Sequence, residues 1–82
     1  MTTSEINALK SIALSLGLAV FEHTDGSIGI PLNHGKQHIT LVAGSAPWVT
    51  TFNGSHSEST HEWVDDTVKA ALKVIVDGAP DA

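Results

Sequence analysis

Apolar residues recur at a helical period near both ends of this chain and alternate in short runs between them. From Thr2 onward, Ile6, Leu9, Ile12, Ala13 and Leu16 fall on one stripe. Thr2 and Glu5 have capping-box spacing, in which each side chain satisfies a backbone N–H that the first turn leaves unpaired. Gly17 supplies the natural stop, so a helix is expected over 3–16. Near the other end, Val64, Val68, Ala71, Leu72 and Ile75 form a second stripe. Ser59 and Glu62 repeat the capping-box spacing, and Gly78 and Pro80 mark the end, so a helix is expected over 60–77. Ser55 and Glu58 offer an alternative start one turn earlier. Trp63, Thr67, Ala70 and Val74 would lie beside the stripe and widen the apolar arc to roughly 200°, beyond the roughly 100° a surface helix needs. That width implies either an extended core with Trp63 on its rim or a contact surface.

The alternating runs predict strands over 18–23, 27–32, 37–43 and 48–53. Asp25-Gly26 is a strong two-residue hairpin signal. With those two residues central, His23 opposes Ile28, Phe21 opposes Ile30 and Ala19 opposes Leu32, and these six share the core face. Asn33 to Lys36 is a turn by composition, and Gly44 to Pro47 breaks the third strand from the fourth. The expected architecture is a single α+β domain, a two-layer sandwich in the order helix, four-stranded antiparallel meander, helix. Both helices cover one sheet face.

Charge narrows the function classes. The net charge is -5, the only cations among Lys and Arg are Lys10, Lys36, Lys69 and Lys73, and arginine is absent. Nucleic-acid binders depend on lysine and arginine at phosphates and bases, so direct nucleic-acid binding is not expected, nor is an anionic membrane. The helix–strand–helix order is similar to that of the double-stranded-RNA-binding domain, whose last helix opens on a basic Lys-Lys-x-x-Lys patch. Glu62, Asp65 and Asp66 stand in that stretch here, so the chain is not assigned to that family. With no cysteine, neither a disulfide framework nor a thiolate zinc site is available. No apolar run approaches the roughly 20 residues of a membrane span, and no basic-then-apolar leader is present, so a cytoplasmic protein is expected.

The candidate chemistry is sparse. His23, His34, His38, His56 and His61 could supply imidazole ligands, but no two have a compact spacing on one helix. Ser55, His56, Ser57, Glu58 and His61 read as a helix-entry loop rather than a nucleophile held against an oriented base. The glycines form no phosphate-cradling motif. No enzyme, cofactor or metal site is expected. Between Gly26 and Ser57 the only fully charged side chain is Lys36. The sheet face away from the helices is therefore expected to be nearly uncharged, carrying Val20, Glu22, Ser27, Gly29, His38, Thr40, Val42 and one register of the fourth strand, with Trp48 a candidate. Charge depletion with aromatic enrichment characterises interface centres. The candidate interface comprises Trp63, Ala70, Val74, His38, Thr40, Val42 and Trp48, with a homodimer as one use of it. Glu58, Glu62, Asp65 and Asp66 form a candidate acidic surface that could imitate phosphates, although acids in a first turn also complement a helix dipole. The expected function is a small acidic, non-catalytic module that binds another protein, of the kind carried by phages or mobile elements as accessory or inhibitor proteins. The alternative is a small-ligand or metal-binding module using histidines near the free sheet face.

Overall fold

The computed structural model describes residues 1–52 and 59–77. Helix α1 (Thr3–Ser15) is followed by β1 (Phe21–Glu22), β2 (Ile28–Leu32), a single 3-10 turn (Asn33–Gly35), β3 (Gln37–Leu41), β4 (Trp48–Phe52), β5 (Ser59–Trp63) and helix α2 (Val68–Asp77). The strands form one antiparallel meander in chain order. Both helices pack on it, giving the expected α+β sandwich with five strands rather than four. The core lies between the layers. Ile6, Leu9 and Ala13 of α1 and Ala71 and Ile75 of α2 meet Ile28, Ile30 and Leu32 of β2, Ile39 and Leu41 of β3 and Val49 of β4.

Helix α1 forms as its ends dictate. The Thr2 hydroxyl accepts from the Glu5 N–H at 3.2 Å, and the Glu5 carboxylate accepts from the Thr2 N–H at 2.9 Å. At the other end, Gly17 takes φ +80°, and the Gly17 and Leu18 N–H groups reach back to the carbonyls of Leu14 and Ala13. That pair of bonds is the Schellman motif. Leu16 sits at the cap rather than inside the helix and is exposed, so the buried stripe ends at Ala13.

The first hairpin departs from expectation by one residue. Its registers are Phe21 with Gly29 and Glu22 with Ile28. The loop therefore holds three residues: Gly26 N–H bonds the His23 carbonyl, His23 N–H bonds the Ser27 carbonyl, and Gly26 has φ +89°. This is a turn closed by a left-handed glycine bulge, the preferred three-residue hairpin. Asp25 favours it by accepting from both the N–H and the hydroxyl of Ser27, which also holds its carboxyl below the usual range. A one-residue slip moves every side chain of a strand to the other face. Phe21 and His23 are consequently not core residues, and Ala19 is exposed. Val20 instead packs on the core, Glu22 pairs with Lys10 of α1, and Ser27 is buried. None of these three contributes to the open face. Pro31 has no N–H to donate on the side facing away from β3, and the β1 pairing stops short of it.

The larger correction concerns residues 59–63. They are strand β5, paired with β4 from Trp48 opposite Trp63 to Phe52 opposite Ser59, and not the first turns of a helix. The Ser59–Glu62 capping box does not form, because both residues lie in the strand. Helix α2 starts at Val68, with the Thr67 hydroxyl accepting from the Ala70 N–H and its carbonyl from the Ala71 N–H. Val64, Val68, Leu72, Ala71 and Ile75 still face the core as their period required. The expected strip of Trp63, Thr67, Ala70 and Val74 dissolves: Ala70 and Val74 are half-buried on α2, and Trp63 belongs to the sheet. Ser55, His56, Glu58, Gly78 and Pro80 lie outside the described residues.

Candidate functional site

Strand pairing assembles the face of the sheet opposite the helices row by row. One row reads Phe21, Gly29, Thr40, Trp48, Trp63 across all five strands. The next reads Pro31, His38, Thr50, His61, and Phe52 follows at the end of β4. The chain has two phenylalanines, two tryptophans and no tyrosine, and all four aromatic residues are on this face. Trp63 is 72 % exposed, Phe21 56 % and Phe52 43 %. The strands carry only two charged residues among those described, Glu22 and Glu62. Each is paired in register with a core residue, Ile28 or Val49, and so lies on the helix side.

The side chains on the face support one another. Trp48 and Trp63 meet edge to face with centroids 5.6 Å apart, and His38 and Phe52 meet at 5.3 Å. Thr50 Oγ1 lies 2.9 Å from His61 Nδ1, so these two polar groups partner each other. His23 reaches over Gly29, its Nε2 3.4 Å from where a Cβ would stand. Burial beside these rings pushes the pKa of His38 down, and the neighbouring His61 and His23 push it further, so His38 favours its neutral form. The relief is uneven. Phe21, His23, Gly29, Pro31 and His38 line a depression of about 320 Å³ on the β1–β3 side. Trp48, His61 and Trp63 border a second, of about 460 Å³, on the β4–β5 side.

The expected interface residues divide accordingly. Trp63, Trp48, His38 and Thr40 come together on the open face. Val42 lies one residue beyond β3, and Ala70 and Val74 belong to the helix layer. Phe21, Phe52 and His61 were missed. The signal for Phe21 was the Asp25–Ser27 pair that selects the longer hairpin loop. Phe52 follows Trp48 by alternation along β4, and Ser59–Trp63 carries no apolar alternation that would mark His61. The acids do not share a helix face, because Glu62 is in β5 while Asp65 and Asp66 are exposed in the connection to α2, where Asp66 accepts from the Met1 nitrogen at 2.8 Å. Among the described residues no group of three metal-ligating side chains could hold an ion, and no helix is long and apolar enough to cross a membrane.

The fold and this face together define an α+β sandwich with an aromatic, uncharged open sheet. No protein-family model, curated protein or solved structure matches the chain.

Proposed function

We propose that this protein is a non-catalytic protein-interaction module that binds through its open sheet face. The observation that supports the reading is the segregation of all four aromatic residues onto one face whose strands bear no charge there. Interface centres have this composition, with aromatics enriched and charged residues depleted. The polar groups on the face add little desolvation cost, since Thr50 and His61 already bond each other and His38 favours its neutral form. Nucleic acid is the other occupant that an aromatic sheet suits, by base stacking, but it also needs cations to track the backbone. Among the described residues the strands offer none on this face, and Lys36, whose carbonyl accepts from the Phe52 N–H, is a single cation at its edge.

Site-specific photocrosslinking in the producing cell tests the reading. A photoreactive phenylalanine analogue at Phe21 or Phe52 is expected to give covalent protein adducts. The same group at Asn7 or Val76, exposed on the helix layer, gives none. Equal yields from the two layers, or adducts from the helices alone, refute it.

A further inference from the structure

We infer that the occupant of the open face is a second copy of this chain, stacked sheet to sheet about a two-fold axis that runs along β3. This deepens the proposed function and rests on it. The first argument is shape. In the row Phe21, Gly29, Thr40, Trp48, Trp63 two adjacent indoles stand on β4 and β5, whereas Gly29 of β2, with His23 reaching over it, lies in the depression beside Phe21. A two-fold axis through Thr40 reverses the row in the partner copy. The Trp48 indole of each copy then meets the depression lined by His23, Gly29 and Pro31 in the other, and its Trp63 indole meets Phe21. A knob and a socket on either side of one axis make a patch self-complementary, as an isologous dimer requires.

Charge gives the second argument. A protein of net charge -5 resists its own copy unless the charges are kept apart. Stacked sheets lie roughly 10 Å apart. The helix layers stand outside them, so the helix acids Glu5 and Asp77 of the two copies are separated by both sheets, beyond the screening length of roughly 8–10 Å. Glu22 and Glu62 are on the helix side of each sheet and are not pressed together.

Area sets the strength. Four five-residue strands about 17 Å long and the two-residue β1, about 4.8 Å apart, project roughly 360 Å². Relief from the rings raises this to roughly 450–550 Å² per copy, or roughly 900–1,100 Å² for the pair, in the range of weak, transient interfaces. An interface of this size belongs to the weak, transient class, so the dimer is reversible and dissociates on dilution.

Light scattering and tryptophan emission across a dilution series from about 1 µM to 1 mM test this. The chain's only two tryptophans are on the face, so emission reports its burial directly. The wild type is expected to double in mass with concentration while its emission moves to the blue. Trp63→Asp, folded by circular dichroism, binds itself at least tenfold more weakly, as does the milder Trp63→Ala. Leu14→Asp, on exposed helix surface, dimerises like the wild type. A wild type that stays monomeric to 1 mM overturns the inference, as does a dimer that survives Trp63→Asp and is lost in Leu14→Asp. The crosslinking experiment separates the two levels. Phe52 adducts at twice the chain mass support the second copy, and adducts only at other masses overturn it while leaving the interaction face. No adduct from the face overturns both.

Discussion

The pairing of β5 with β4 can be tested through the two tryptophans alone. Val64 N–H bonds the Pro47 carbonyl at 2.8 Å, so the alternation of an antiparallel ladder makes Trp48 and Trp63 a non-hydrogen-bonded pair, the kind with the closer side chains. Trp63 is 72 % exposed and thus hides a little over a quarter of its surface. For a side chain of up to about 250 Å² this is roughly 70 Å², or about 1.8 kcal/mol at 25 cal/mol per Å². Its indole meets that of Trp48 edge to face, and such pairs contribute about 0.5–1.5 kcal/mol beyond area. A double-mutant cycle with Trp48→Ala and Trp63→Ala, read by urea unfolding near 1 µM to keep the chain monomeric, is expected to give a coupling of about 1 kcal/mol. If residues 59–63 were instead the first turns of α2, the indoles would not share a cross-strand contact and the two losses would simply add. A coupling below about 0.3 kcal/mol, within the scatter of additive pairs, refutes the strand pairing.

Three further outcomes follow from the same geometry. Ile39 is wholly buried between Ile30 and Val49, so Ile39→Ala is expected to cost about 3 kcal/mol in urea unfolding, whereas Phe52→Ala on the opposite face costs less than about 1 kcal/mol. Thr67→Ala removes the cap of α2 and is expected to cost about 1 kcal/mol, with the loss reproduced in the thermal midpoint. Burial, then His61 and His23, depress the pKa of His38, so the unfolded chain holds the proton more readily than the folded one. Its contribution is complete above about pH 6.5 and is lost as the pH falls below that toward the depressed value, a slope that His38→Gln should flatten in unfolding titrations between pH 5 and 7.

The helical and strand periods were readable wherever the pattern was local. Thr2, Glu5 and Gly17 specify α1 through bonds that span a few residues, and the stripe from Val64 to Ile75 identifies the core side of the last segment whether or not its first residues are helical. Two features were not readable, for different reasons. The Asp25-Gly26 pair serves both two- and three-residue loops, and what selects between them is the reach of the Asp25 carboxylate to Ser27. Ser59–Trp63 carries a valid capping-box spacing, but its five residues gain a whole ladder of hydrogen bonds and an indole contact from β4. Tertiary pairing of this kind overrides a local signal worth about 1 kcal/mol. Both errors displaced aromatic residues, so the open face could be foreseen as charge-poor but not as aromatic.

The composition of the two sheet faces carries the strongest argument about purpose. The buried hydrophobic residues among those described are Met, Ile, Leu, Val and Ala, without one aromatic. Aromatic side chains offer the largest burial per residue, and a chain of 82 residues has little core from which to draw stability. Using them inside would serve the monomer better. Outside, they leave an exposed apolar patch, the informative kind of surface observation, on a sheet where, among the described residues, the strand charges Glu22 and Glu62 point the other way. Thr or Lys at Phe21, Phe52 and Trp63 would fit the same pleat and protect the monomer from association. The stability of a lone chain therefore gives no reason for the arrangement, while a partner that covers the face, most economically a second copy of it, gives one for each aromatic residue.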